Sequence, residues 1–97
     1  KRLVLILALN CYQHCLEHSS FDNASYFKAY TEKIIGKNIS LYERNILHYL
    51  KGFALYQKGQ YTEGCSQMQE AMHIFDVLGL PEQVAYYQEH YEKFIKD

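Results

Sequence analysis

Residues 48–71 read HYLKGFALYQKGQYTEGCSQMQEA. Small residues stand at Gly52, Gly59, Gly64 and Ala71, separated by seven, five and seven positions. Apolar residues recur at helical intervals on both sides of Gly59: Leu47, Leu50, Ala54 and Leu55 before it, Cys65, Met68, Met72 and Phe75 after Tyr61. Glycine permits a tight reversal of the chain, and small residues on facing surfaces let two helices cross closely. The stretch predicts a helical hairpin that turns at Gly59.

Working outward, the same reading supplies the rest of the chain. A first helix is expected from about Arg2 to Glu17, with Leu5, Ala8, Leu9, Tyr12, Cys15 and Leu16 at three-and-four spacing. His18-Ser19-Ser20 ends it. Asp22 or Asn23 is expected to cap a second helix through Ala24, Phe27, Tyr30, Ile34 and Ile35, closed by Gly36. Ser40 and Glu43 form a capping box for the third helix, which Gly59 breaks. The fourth starts at Tyr61 and runs to Gly79. Pro81 is placed to be the first residue of a fifth, carrying Val84, Tyr87, Tyr91, Phe94 and Ile95. No useful length of period-two alternation occurs, so the fold class is all-α.

Ninety-seven residues at 48% hydrophobic and 22% charged content make one soluble helical domain, expected to span residues 1–97. Opening on Lys1 inside an apolar periodic segment, it is expected to be a piece cut from a longer polypeptide. A formal net charge of -1 leaves no basic field for gripping nucleic acid. The longest apolar run, Leu3 to Leu9, is seven residues, far short of the ~20 that cross a bilayer. Lys1-Arg2, this run and Cys11 imitate a lipoprotein signal, but Asn10 stands where a small residue is needed and the amphipathic period continues to Leu16. An odd count of three cysteines fits a reduced, cytoplasmic setting.

The hairpin unit recurs. Phe21 and Tyr61, Ile34 and Ile74, and Ser40 and Leu80 each stand forty residues apart. A period of this size predicts antiparallel hairpins that stack in tandem. The segment from Tyr49-Leu50-Lys51-Gly52 through Tyr61-Thr62-Glu63-Gly64 to Ala71 resembles a tetratricopeptide repeat, which implies a right-handed solenoid. It departs from that pattern at His48, Lys51, Leu55 and Met68, and Pro81 comes later than the usual proline.

Tyr49-Leu50-Lys51-Gly52-Phe53-Ala54-Leu55-Tyr56-Gln57-Lys58-Gly59, the run Ala71 to Gly79, and Ala85-Tyr86-Tyr87-Gln88-Glu89-His90-Tyr91 together resemble the C-terminal region of Rgg/GadR/MutR-type transcriptional regulators. The resemblance covers about the last half of the chain. It implies an N-terminal helix-turn-helix domain elsewhere in the polypeptide, through which alone DNA would be bound. It also implies degenerate tetratricopeptide-like helices that form a homodimer and bind a short secreted signalling peptide. The alternative is a general tetratricopeptide scaffold that holds another protein.

In such a solenoid the first helix of each pair lines the concave side. With Gly52 toward its partner helix, Asn45, Ile46, Tyr49, Phe53 and Tyr56 face a groove, joined by Asn10 and Gln13 from the first helix and Tyr86 and Glu89 from the fifth. Asn45 offers donor and acceptor to a peptide backbone, and tyrosines offer rigid apolar area with a polar tip. The competing reading packs Tyr49, Phe53 and Tyr56 between repeats. The dimer contact is placed on the exposed side of the fifth helix, including Tyr86 and His90.

No catalytic constellation is expected. Glycine-rich phosphate loops, paired catalytic carboxylates and His-Glu motifs do not occur. Cys11, His14, Cys15 and His18 lie along one helical face and are zinc-ligand types, which makes a metal sensor the rival from another class. Structural zinc usually draws ligands from two elements, and no second Cys-x2-Cys exists, so neither metal nor cofactor is expected.

Overall fold

The apolar stripes fold as helices, and the breaks at 18–20, 58–60 and 78–80 are three-residue turns between them. The computed structural model describes residues 2–35 and 41–95. Among them are α1 (Arg2–Glu17), α2 (Phe21–Ile35), α3 (Leu41–Gln57), α4 (Tyr61–Val77) and α5 (Pro81–Phe94), and no strand. Gly36 and Ser40, the expected stop and start around the second connection, lie outside the described residues.

Three connections share one geometry. At 18–20 the amide of Ser20 donates to the Cys15 carbonyl at 2.8 Å and that of Ser19 to the Leu16 carbonyl at 3.2 Å. At 58–60 Gln60 reaches Leu55 and Gly59 reaches Tyr56, both at 3.0 Å; Leu80 and Phe75, Gly79 and Asp76 repeat the pattern at 3.0 Å. These crossed bonds satisfy the last carbonyls of the helix and need a left-handed residue just beyond it. That residue is Ser19 (φ 58°), Gly59 (φ 93°) and Gly79 (φ 73°). Ser19 and Gly59 are forty apart, the same interval that separates Phe21 from Tyr61.

The start of α2 differs from expectation. Asp22 and Asn23 lie inside its first turn, and Ser20 takes the flanking place: its carbonyl accepts from the Ala24 amide at 2.9 Å, and its Oγ accepts from Asn23 Nδ2 at 3.0 Å. The left-handed Ser19 closes α1 so tightly that the next residue already opens α2. Pro81 begins α5 as expected, where a missing N–H costs nothing.

The chain divides into two compact units, Lys1–Leu47 and His48–Asp97. In the first, α1 and α2 pair as an antiparallel hairpin, burying Leu5, Ala8, Leu9, Tyr12, Cys15 and Leu16 of α1 together with Ala24, Thr31 and Ile35 of α2. In the second, the end of α3, α4 and α5 bury Tyr49, Leu50, Phe53, Met68, Ala71, Met72, Phe75 and Tyr87. Cys65, expected in the α4 core face, is only half-buried. Each fully covered aliphatic or aromatic side chain contributes about 1.5–3 kcal/mol, so these two clusters carry most of the stability.

Candidate functional site

The crossing that the small residues foretell is present in the second unit. A methyl group on Gly64 would lie 2.6 Å from the Gly52 carbonyl oxygen and 2.6 Å from the Tyr56 nitrogen; one on Gly52 would lie 3.0 Å from the Gly64 oxygen. Backbone meets backbone here, and Ala71 is buried beyond it. Gly52 thus faces α4.

The other face of α3 follows from helical geometry. Tyr49 and Phe53, one turn apart, point away from α4 and meet α5. The Tyr49 hydroxyl lies 2.8 Å from His90 Nδ1 and donates to the Tyr87 carbonyl at 3.4 Å. Its ring centroid is 4.7 Å from that of Tyr87. Phe53 meets His90 edge-on at 4.8 Å and Phe94 at 5.5 Å, while Phe75 of α4 stacks on Tyr87 at 5.3 Å. Edge-to-face and offset contacts of this kind add about 0.5–1.5 kcal/mol each beyond area burial. Tyr49 and Phe53 are therefore core residues, as in the reading that packs them between repeats. Tyr56 is half-buried, with its ring 5.0 Å from Tyr61.

Of the other groove candidates in this unit, Tyr86 is 53% exposed and Glu89 is exposed, both on the outer face of α5. His90 is not beside them. Expected on the exposed side of the fifth helix as part of a dimer contact, it is buried between Phe53, Phe94 and Tyr49, because it falls three residues after Tyr87 and four before Phe94 on the inward stripe. The signal was there as spacing, but its residue type hid it. His48 is half-buried: its Nε2 lies 2.7 Å from Glu70 Oε1, and its carbonyl accepts from Gln67 Nε2 at 2.9 Å.

In the first unit Asn10 is exposed on α1, whereas Gln13 is buried and donates from Nε2 to Glu17 Oε2 at 2.9 Å. Asn45 and Ile46 are buried on the first half of α3. Tyr12 of α1 is fully covered, and among the described residues its hydroxyl has no hydrogen-bond partner. Burial, then the nearby Glu32 charge, raises its phenol from 10.0 to about 12. The Thr31 hydroxyl is likewise buried without a partner among the described residues.

The four Cys and His side chains along α1 do not come together as one set, although the His14 and His18 rings approach to 4.3 Å between centroids. Cys11, His14 and His18 are exposed, Cys15 is buried, and burial followed by the Cys11 neighbour pushes the Cys15 thiol upward. Among the described residues no three His, Cys, Asp or Glu side chains are grouped to hold a metal ion. No helix among them is long and apolar enough to cross a membrane.

Residues 1–89 match the family model described as HTH-type transcriptional regulator Rgg, C-terminal domain. Among solved structures the chain is similar to the SHP pheromone receptor Rgg2 of Streptococcus dysgalactiae, with 31% sequence identity and a TM-score of 0.87, covering 94% of this chain and 34% of the receptor. A cysteine-to-serine variant of that receptor is similar at 29% identity and a TM-score of 0.90, covering 96% of this chain and 34% of the receptor chain. The chain thus spans about a third of the length of these receptors. No curated protein matches it.

Proposed function

The chain belongs to the C-terminal domain family of Rgg-type HTH transcriptional regulators, and we propose that it is the part of such a regulator that senses a short signalling peptide. The observation that carries this reading is the likeness in sequence and fold, over nearly all of the chain, to a pheromone receptor. The role is regulatory and non-catalytic. The protein acts in the cytoplasm as a homodimer, and its DNA contacts lie in a different part of the polypeptide.

The residues divide between contact and support. In the first unit Asn10 is accessible to a peptide backbone, as donor and acceptor. In the second, Tyr86 offers an exposed ring and Glu89 an exposed carboxylate, with Tyr56 partly accessible. Gln13, Asn45, Ile46, Tyr49 and Phe53 are buried and support the helices that present those groups. Binding acts by population shift: a peptide that fits one arrangement of the helices better raises its share, and the attached DNA-binding part responds to that share.

A labelled short apolar peptide, titrated into the chain and followed by fluorescence anisotropy, tests this. Saturable binding is expected, weakened about tenfold by Tyr86→Ala or Asn10→Ala, equal to about 1.4 kcal/mol per site. Both side chains are exposed, so the melting temperature should be unchanged. Binding that ignores both substitutions defeats the residue assignment. Failure of a panel of apolar peptides to bind at all defeats the sensing role and favours a general protein scaffold.

A further inference from the structure

We propose that His14 and His18, at the end of α1, form an open chelate for a divalent transition-metal ion of the Ni2+, Cu2+ and Zn2+ class. The inference is independent of the peptide-sensing role. It also departs from the expectation drawn from the sequence, that this face holds no metal.

Positions i and i+4 on a helix stand one above the other, about 5–6 Å apart at Cβ. Two histidines so spaced on one face are a recurring metal-binding pair. Here the two rings approach to 4.3 Å between centroids, inclined at 44°. Metal–imidazole bonds of about 2.0–2.1 Å place two cis nitrogens roughly 3 Å apart, within reach of rings already this close. Both side chains are exposed. Among the described residues neither ring has a hydrogen bond or ion pair, so their nitrogens are uncommitted.

The surroundings favour a cation. His18 follows the last helical residue of α1, where the unpaired carbonyls carry the negative end of the helix dipole. Its amide still donates to the His14 carbonyl at 3.1 Å, and the left-handed Ser19 fixes the turn immediately after it. Glu17, between the two histidines, adds a carboxylate that accepts from Gln13 Nε2 at 2.9 Å. With no third ligand from the described residues, the remaining coordination positions go to water. Two imidazoles and water suit nickel, copper and zinc rather than magnesium or calcium. An ion there ties the last turn of α1 to its cap and stiffens the approach to α2.

The test is calorimetric titration of the intact chain with Ni2+ and Zn2+ in a non-chelating buffer, with thermal unfolding in parallel. Expected are one ion per chain and a melting temperature that rises with metal. His14→Gln and His18→Gln should each weaken binding about tenfold or more. His73→Gln, a lone exposed histidine, and Cys11→Ser should leave it intact. Absence of binding overturns the proposal. So does binding that survives the double histidine substitution, or binding lost in Cys11→Ser but kept in His18→Gln. All four side chains are exposed, so circular dichroism should report the same helix content throughout.

Discussion

At φ 58°, Ser19 occupies the conformation that Gly59 and Gly79 occupy at the two matching turns. A residue with a Cβ pays about 1–2 kcal/mol for that region, whereas glycine gives back about 0.5–1 kcal/mol through the entropy of the unfolded chain. Ser19→Gly should therefore stabilise the protein by roughly 0.5–1 kcal/mol and raise the melting temperature by a few degrees. Proline-like stiffness is not involved, so an unchanged or lower melting point would mean that the Ser19 backbone is not strained. Tyr12 makes a second case. Its hydroxyl is buried without a partner among the described residues, a state that costs about 1–3 kcal/mol relative to a paired group. Tyr12→Phe should leave neutral-pH stability unchanged or raise it. Its phenol holds its proton up to about 12 in the folded chain and near 10.0 in the unfolded one. The unfolded state thus binds fewer protons between these values, and stability present below pH 10 falls as pH rises through the window. The wild type should lose on the order of 2–3 kcal/mol more than Tyr12→Phe across it. Denaturant melts of both chains between pH 9 and 12 would reveal equal losses if the hydroxyl is in fact solvated.

The α3–α4 crossing is decided by two glycines whose surroundings leave no room. Gly64→Ala places a methyl group 2.6 Å from two backbone atoms, which no rotamer change can relieve. Separation of the helices is the only response, at a cost of about 3 kcal/mol. Gly59→Ala meets nothing within 4 Å but carries φ 93°, and should cost only about 1 kcal/mol. Urea melts that rank the two the other way would show that the hairpin does not depend on close approach. This element was legible because both glycine roles leave marks in the sequence: one as a break in the apolar stripe, the other as small residues in facing positions. The α1–α2 turn was legible only as a stop, since serine does not announce a left-handed residue. The faces of α3 were harder. Its apolar residues occupy more than one side, and the period of 3.6 says which residues share a face, not which neighbour covers it. Tyr49 and Phe53 became core because α5 lies against them, and His90 became their partner across 41 and 37 residues of sequence.

Charge belongs to the molecule as a whole. Ten basic side chains against eleven acidic ones give a formal net charge of -1. Affinity for duplex DNA comes largely from lysines and arginines that displace counterions from phosphates, and falls steeply with salt. A chain with this balance has little to offer such a backbone. The family description places a helix-turn-helix in the whole regulator, while this chain matches the C-terminal domain and spans about a third of similar receptors. The proposed division of labour, peptide on this domain and DNA on another part, therefore has a direct consequence. A labelled duplex should keep its anisotropy when the isolated chain is added, at both low and physiological salt, with a salt slope near zero. Micromolar binding that weakens as salt rises would place phosphate contacts on these helices and end that division. Absence of DNA binding together with saturable peptide binding would fit a domain that senses and transmits but does not itself hold the promoter.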